Sequence, residues 1–193
     1  GSAIMQDGKS ASLTAPNGKA QAQLLQATLK EAQIDASQVR FIEAHGTGTK
    51  LGDPIETEAL AQVYGKDRDG SNPLYVSSVK ANIGHLEAAA GMAGLFAAIL
   101  TLNKSEVAPN GQLRTLNDKV AATVKGCNIQ FPQESVQLQR IGDQPLIGGL
   151  SSFGYSGTIA HVLLEEPPND AKRRIDPVIT LEQLSDGVID RCH

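Results

Sequence analysis

A histidine followed by alternating glycine and threonine is the first group of residues whose types and spacing suggest chemistry. His45 comes directly after segment 39–44, which is predicted to be a buried strand, and Gly-Thr-Gly-Thr follows at 46–49. A strand end holds a side chain rigidly, and glycines let backbone and hydroxyl groups approach a polar substrate closely. We therefore expect His45 to face a ligand at the carboxyl end of that strand.

Nucleotide binding is the alternative interpretation of this turn, but the glycine spacing disfavours it. Residues 46–52 follow G-x-G-x-x-x-G and not G-x-G-x-x-G, and no acidic residue follows on a next strand at the expected distance. A Walker-type loop is disfavoured as well, because no glycine precedes a Lys-Ser/Thr pair.

A lysine and a second histidine form the next candidate group. Lys80 and His85 lie around the junction of a predicted strand at 74–79 and a predicted helix at 84–103. The positive end of a helix dipole disfavours an imidazolium, and a neutral ring can donate one N–H to a developing oxyanion. Lys80 would add a positive charge nearby. The alternative is a surface lysine and a histidine that only caps the helix.

The third candidate group is the glycine-rich segment 148–158, between predicted strands at 147–153 and 158–165. Its backbone N–H groups could form half of an oxyanion hole, with Phe153 as an apolar door. An ordinary glycine-rich hairpin is the alternative. His161, inside the second strand, is expected to be a structural histidine whose ring is hydrogen-bonded.

Neither a metal site nor a catalytic thiol is expected. His45, His85, His161 and Cys127 share no short ligand spacing. Cys127 follows no strand-to-helix elbow that could activate its thiol, so we expect a buried or incidental cysteine.

The elements that must position these groups alternate between helix and strand, which predicts an α/β layer fold. Asp53, Pro54 and Glu56 form a capping-box pattern with Asp53 as the N-cap. Small residues in helix 84–103 should let it pack closely against neighbouring backbone. The predicted elements are helices over 19–33, 53–64 and 84–103 and strands over 39–44, 74–79, 128–131, 147–153 and 158–165, with mostly loop over 109–125.

Composition excludes several classes of protein. The 193 residues are 40% hydrophobic, carry a formal net charge of −4 and include 19 glycines but only four Phe and three Tyr. The apolar share excludes wholesale disorder, and acidity with few aromatic residues argues against nucleic-acid binding. Two cysteines make no disulfide framework, so we expect a cytoplasmic, reducing setting. The apolar run at 88–102 is shorter than the roughly 20 residues of a membrane-spanning helix.

The two ends of the chain carry separate expectations. Residues 1–7 lack the basic start and apolar run of a signal peptide and do not begin with Met, so we expect a piece of a longer protein. Beyond Glu166 the sequence becomes proline-rich and then basic. This change predicts a domain over 1–166 and a linker over 167–193, with a short helix at 180–189.

Taken together, the motifs resemble the β-ketoacyl synthase family, specifically the ketosynthase domains of modular type I polyketide synthases. The matching text is EAHGTGTKLGDPIE at 43–56, VSSVKANIGHLEAAAGMAGL at 76–95 and SSFGYSGTIAHVLLEE at 151–166, after shorter matches at 6–8 and 13–18. The resemblance implies a thiolase-like fold, in which two similar α/β halves form an αβαβα sandwich that dimerises. This chain matches only the C-terminal half.

The resemblance implies decarboxylative Claisen condensation. A cysteine of the N-terminal half, which this chain lacks, would carry the acyl chain, and a malonyl-type extender would arrive on the phosphopantetheine arm of an acyl carrier protein. His45 and His85 match family histidines that donate hydrogen bonds to the extender thioester carbonyl. Lys80 matches the lysine that supports this site electrostatically.

The resemblance also assigns residues that contact the substrate. Thr47 and Thr49 match positions beside the pantetheine arm. Phe153 matches the gatekeeper, whose backbone N–H joins that of the cysteine in the acyl oxyanion hole, and Gly154 follows it in the same turn. No cofactor is expected to bind directly, and the partners implied are the carrier protein, the N-terminal half and a second copy of the full enzyme.

Met5 and Ile159 depart from the family pattern, because both stand where the family usually has asparagine. Three functions stay open: half of a condensing ketosynthase, a non-condensing module that binds carrier-bound chains, and an inactive structural or interaction fragment. Half of a sandwich would expose the apolar face of 88–102, so we expect the isolated chain to aggregate or associate.

Overall fold

Helices and strands alternate through the part of the chain that the computed structural model describes, residues 1–8, 16–66 and 68–168. The strands are β1 (Ser2–Gln6), β2 (Val39–Glu43), β3 (Leu74–Ser77), β4 (Glu106–Val107), β5 (Ile129–Gln130), β6 (Val136–Gln137), β7 (Ile147–Phe153) and β8 (Thr158–Glu165). The helices are α1 (Gly18–Ala32), α2 (Gly52–Tyr64), α3 (Lys80–Ile83), α4 (Ala90–Lys104) and α5 (Asp118–Thr123). The helix predicted at 180–189 lies outside the described residues.

A mixed sheet of six strands organises the fold. Its strand order is β1-β8-β7-β2-β3-β5, and β4 and β6 form a separate antiparallel pair. The four strands β7, β2, β3 and β5 run parallel to one another, whereas β8 is antiparallel to both β7 and β1. The carboxyl ends of β7, β2 and β3 therefore meet at one edge of the sheet, and each is followed by one of the three sequence motifs.

Helices cover both faces of the sheet. Ile42 of β2 belongs to a cluster with Leu25 of α1 and Leu60 of α2. Its neighbour Phe41 belongs to a second cluster, with Ala98 and other residues of α4. Because β2 contributes to both clusters, it is buried along its whole length, as a central strand of a parallel sheet must be.

Helix α4 reaches the sheet through glycines. A Cβ atom on Gly94 would lie 2.8 Å from Leu150 Cδ1, and one on Gly91 would lie 2.9 Å from Ser152 Oγ. The other side of the helix is exposed and apolar, as expected for half of a sandwich. The exposed large side chains here and just before the helix are Ile83, Leu86, Met92, Phe96, Ile99 and Leu100.

The predicted helix 84–103 is wrong at its start. The chain turns at Gly84, where φ is +80°, and makes a 3-10 turn over Glu87–Ala89 before α4 begins at Ala90. Glycine adopts that φ at little cost, and it ends the short helix α3. His85 therefore does not lie at the N-terminus of the long helix, and the dipole argument for its neutral ring does not apply.

Other elements were not predicted. Helix α5 lies in the segment expected to be mostly loop, and the Asn117 side chain caps it by accepting a hydrogen bond from the Lys119 N–H at 2.9 Å. Strand β1 also escaped prediction. It pairs Met5 directly with Ile159 of β8. The two departures from the family pattern are thus cross-strand neighbours, beside the buried Leu24 of α1.

The predicted domain boundary after residue 166 stays a prediction. Glu166 itself is buried against the described domain. Its carboxylate accepts hydrogen bonds from Arg140 Nε at 2.6 Å and from the Leu146 N–H at 2.9 Å.

His161 is fully buried in β8 and bridges two hydroxyl groups. Its Nδ1 lies 3.0 Å from Ser151 Oγ, and its Nε2 lies 3.0 Å from the Tyr64 hydroxyl. A neutral imidazole has one donor and one acceptor nitrogen, so one hydroxyl donates and the other accepts. Burial lowers the pKa of His161 to about 3, which keeps the ring neutral at ordinary pH. This is the structural role expected from the sequence.

Replacing His161 with Leu should destabilise the protein by about 1–3 kcal/mol for each hydroxyl left unpaired. Adding Tyr64→Phe and Ser151→Ala should recover part of the loss, since no polar atom then stays unpaired. Urea denaturation of the longest soluble protein that contains this chain measures both effects. Because the unfolded histidine titrates near 6.5, wild-type stability should fall as the pH drops below that value, and the Leu variant should lack this component. A triple variant that is no more stable than the single variant would contradict the network.

Candidate active site

The three motifs meet at the carboxyl edge of β7, β2 and β3. The imidazole rings of His45 and His85 have centroids 6.1 Å apart and are nearly perpendicular, with an angle of 88° between their planes. The Phe153 ring centroid lies 5.1 Å from that of His45. Lys80, at the start of α3, completes the group, so the sheet brings together the residues that the sequence singled out.

The carboxylate of Glu56 fixes the backbone where β2 ends. Its two oxygens accept hydrogen bonds from the N–H groups of His45 at 2.7 Å and Gly46 at 2.9 Å. Asp53, in the same helix, accepts one from the Gly48 N–H at 3.1 Å. The predicted capping box is therefore wrong. Helix α2 begins one residue before Asp53, and both carboxylates bind the preceding loop and not the helix's own N–H groups.

The loop after His45 depends on two glycines with positive φ, +47° at Gly46 and +74° at Gly48. The Thr49 hydroxyl oxygen accepts a hydrogen bond from the Gly52 N–H at 2.9 Å and keeps its own proton for donation. Thr47 is half-buried in the same loop. Both threonines border the site, and their contact with a substrate arm stays a prediction.

Both site histidines accept a backbone hydrogen bond at Nδ1. The Phe153 N–H donates to His45 Nδ1 at 3.3 Å, and the Glu87 N–H donates to His85 Nδ1 at 2.8 Å. A ring that accepts at Nδ1 in its neutral form carries its proton on Nε2. Each histidine therefore presents one Nε2–H donor.

The neutral state of His45 has a clear physical cause. Burial, followed by the charge of Lys80 and the neighbouring His85, lowers the pKa of His45 to about 4. His85 differs because it is exposed at the surface of the described chain.

The N–H groups of Phe153 and Gly154, at the end of β7 and the start of the glycine turn, already have acceptors within the protein. The Phe153 N–H binds His45, as described, and the Gly154 N–H donates to the Thr158 carbonyl at 2.7 Å. The expected half of an oxyanion hole is thus occupied by a histidine nitrogen in this structure. An acyl oxygen that uses the Phe153 N–H must share or displace that bond, whose length of 3.3 Å is at the weak end of the range.

One cation faces two buried carboxylates beneath the histidines. Burial raises the pKa of Glu56 and of Glu43 to about 7 each, and the charge of Lys80 opposes the rise in both. Burial lowers the pKa of Lys80, while Glu43 and Glu56 raise it. The two more deeply buried carboxylates therefore oppose the effect that burial has on the pKa of the lysine.

Sequence reasoning missed the roles of Glu43 and Glu56. The capping pattern predicts a helix cap for Glu56, and no role is predicted for Glu43. The available signal for Glu43 was a carboxylate in a strand predicted to be buried, because an isolated carboxylate is costly to bury.

Other candidate chemistries find no support in the described ranges. No group of three or more His, Cys, Asp or Glu side chains among those residues is placed to hold a metal ion. Cys127 is a free, half-buried thiol beside Gly65, at the other end of α2 from Glu56. Within the same ranges, no helix has the length and apolar character needed to cross a membrane.

Comparison with known proteins defines the class to which this fold and site belong. Residues 1–114 match the family described as beta-ketoacyl synthase, C-terminal domain. The chain belongs to this family. It is a C-terminal ketosynthase region of a polyketide synthase, with an α/β thiolase-like fold.

Two curated relatives are synthases much longer than this chain. Over 168 residues the chain is 46% identical to 6-methylsalicylic acid synthase of Penicillium terrestre. The aligned region covers 86% of this chain and 9% of the relative. The chain is 44% identical over 168 residues to Erythronolide synthase EryA3 of Saccharopolyspora erythraea, and that alignment covers 87% of this chain and 5% of the relative. The chain thus spans less than a tenth of either protein.

Two solved ketosynthases share the fold. The ketosynthase from module 6 of the bacillaene synthase from Bacillus subtilis 168 is 37% identical, with a TM-score of 0.80 over 86% of this chain and 30% of that chain. Ketosynthase twelve from the bacillaene polyketide synthase in Bacillus amyloliquefaciens is 36% identical, with a TM-score of 0.80 over 86% and 29%.

Replacing Gly46 with Ala should disturb the site far more than replacing Gly48 with Ala. Both positions have positive φ, which costs a residue with a Cβ atom about 1–2 kcal/mol. Only at Gly46 would the new Cβ atom clash, 2.7 Å from Ser78 Cβ, because nothing lies within 4 Å of the other. The Gly46 variant should therefore lose about 1–3 kcal/mol more in its free energy of unfolding. Equal losses for the two variants would contradict this geometry.

Proposed function

We propose that this chain is the C-terminal part of a condensing ketosynthase and supplies two hydrogen-bond donors to the thioester carbonyl of a malonyl-type extender. The observation that supports this most directly is the pair of backbone N–H groups that bind Nδ1 of His45 and His85. Each bond leaves an Nε2–H free to donate in the neutral ring. Fixed donors aimed at a forming oxyanion are the means by which such sites lower the barrier to enolate formation.

The proposed reaction has two chemical steps. In the first, the bond between the extender's α-carbon and its carboxylate breaks, carbon dioxide leaves, and the electron pair forms an enolate whose oxygen accepts hydrogen bonds from His45 and His85. In the second, the enolate carbon attacks the carbonyl of an acyl thioester held on a cysteine of the other half. A new carbon–carbon bond forms, and the cysteine leaves as a thiolate.

The protonation states of the site support these steps. His45 must stay neutral, because protonation at Nδ1 would set two N–H donors against each other, and its pKa of about 4 ensures this at neutral pH. Lys80 supplies a positive charge near the developing enolate without donating directly to it. Lys80 is half-buried, and the charges of Glu43 and Glu56 favour its charged form.

The substrate in this proposal arrives on a carrier and no cofactor binds directly. The phosphopantetheine arm of an acyl carrier protein would pass beside Thr47 and Thr49, whose loop borders the site. Phe153 and Gly154 would form the gate on the other side, since the Phe153 ring already packs on His45.

The proposal needs a partner for the exposed side of α4. The solved relatives are about three times longer than the matched region, which covers 29–31% of their chains. We propose that an N-terminal ketosynthase half with the nucleophilic cysteine covers this apolar face, and that the full enzyme is a homodimer. A non-condensing module would have the same fold. The presence of His45, His85 and Lys80 favours condensation over it.

Replacing either site histidine should slow decarboxylation. In the complete enzyme that contains this chain, His45→Ala and His85→Ala should each lower the rate about 10²- to 10³-fold, as loss of one oxyanion donor does elsewhere. Release of labelled carbon dioxide from malonyl-carrier protein measures this, with Cys127→Ala as a control of unchanged rate.

The pH profile of the same reaction is the second measurement. Since the pKa of His45 is about 4, any acid limb of the wild-type rate between pH 7 and pH 5 should persist in the His45→Ala variant. A limb in that range that His45→Ala removes, or an unchanged rate in either histidine variant, would contradict the assigned roles.

The chain alone should not form an acyl-enzyme. Incubation with an acyl pantetheine thioester and intact-mass measurement should show no stoichiometric adduct, because the proposed nucleophile lies elsewhere. Coexpression with the N-terminal half should restore acylation, on that half. A stable adduct on the isolated chain that disappears in the Cys127→Ala variant would overturn this part of the proposal.

A further inference from the structure

We propose that Glu43 is a positioning residue for the site, which holds the start of α3 in place and stabilises the positive charge of Lys80, the first residue of that helix. The inference rests on the proposed function and deepens it. Glu43 ends β2, two residues before His45, and only 3% of its surface is exposed. Its side chain makes no hydrogen bond or ring contact with His45 or His85, so it would act through other residues.

The first part of the role is geometric. Glu43 Oε1 accepts a hydrogen bond from the Val79 N–H at 2.6 Å, and the Ser77 hydroxyl also stabilises the carboxylate. Val79 directly precedes α3, which begins at Lys80. A single side chain of β2 therefore fixes the segment that leads from β3 to the lysine, across 36 positions of sequence.

A glycine in α4 leaves space for the Glu43 side chain. On the α4 side, a Cβ atom at Gly94 would lie 3.4 Å from Glu43 Cγ and 2.8 Å from Leu150 Cδ1. A larger residue at Gly94 would have to displace Leu150 or the glutamate. The glutamate thus occupies a fixed position between the sheet and α4.

The second part of the role is electrostatic. The charged groups that face Glu43 are Lys80 of α3 and Glu56 of α2. Helix α4 presents Gly94 to it. Glu43 also lines a cavity of about 470 Å³, together with Lys104 and Glu106. Since the charge of Glu43 raises the pKa of Lys80 against the effect of burial, removing that charge must lower it.

The test separates the two parts with a charge-neutral variant. Glu43→Gln keeps an oxygen that can accept the Val79 N–H, so the fold and the acylation of the partner cysteine should be retained. It removes the charge that Lys80 faces. Glu58→Gln is the matched control, because it makes the same change on an exposed position of α2.

Two measurements on the complete enzyme decide the outcome. The alkaline limb of malonyl decarboxylation should move to lower pH in Glu43→Gln, so the variant should lose rate relative to the wild type only at alkaline pH, with no change near pH 6. The Lys80 pKa, followed by ¹³C signals of reductively methylated lysines and assigned with Lys80→Arg, should fall in parallel. The Glu58→Gln variant should show neither change.

The alternatives give different results. A Glu43→Gln profile that matches the wild type, or a rate that falls equally at every pH, would overturn the inference, the second because it marks a purely structural role. A wild-type enzyme that does not decarboxylate its extender would overturn the proposed function instead. In that case the Lys80 pKa alone still decides whether Glu43 controls the charge of the lysine.

Discussion

The site depends on one buried carboxylate that reaches from a helix to the end of a strand. Glu56 accepts the N–H groups of His45 and Gly46, which no strand or helix ladder satisfies. Left unpaired, each such buried group would cost about 1–3 kcal/mol. At its other end the same helix uses Tyr64 to bind His161 of β8. Helix α2 therefore joins the end of β2, which His45 follows, to the hairpin that carries Phe153.

The electrostatics of the site follow from what is buried and what is exposed. Burial keeps the His45 ring neutral, and the Phe153 N–H holds the ring in place by donating a hydrogen bond to Nδ1. The ionisable groups near it are Lys80, Glu43 and Glu56, and the lysine and each carboxylate alter the pKa of one another. In the proposed reaction the imidazoles act as donors, while the lysine adds a positive charge that is already in place.

Much of the fold could be predicted from sequence where the pattern is local. Strands β7 and β8 have the predicted bounds, because apolar and β-branched residues end at glycines on either side of the turn. The start of α4 could not be predicted in this way. The turn before it shares alanines with the helix, and positive φ values at Gly84 and Glu87 separate the two. The histidines were found because the motifs are contiguous, whereas the partners of Glu43 and Glu56 are brought by the sheet from distant segments. Glu56 also satisfied a local capping rule, which concealed its tertiary role.

The exposed side of α4 has a consequence for anyone who alters this protein. Its glycines set how closely the helix approaches the sheet, whereas Phe96 and Leu100 are more than half exposed, at 59% and 55%. Charged substitutions at Phe96 or Leu100 should therefore make the chain easier to keep in solution. In the proposed assembly, they would also place charge on the surface that the N-terminal half covers. The substitutions that make the isolated chain more soluble are therefore the ones expected to weaken its proposed association with the N-terminal half.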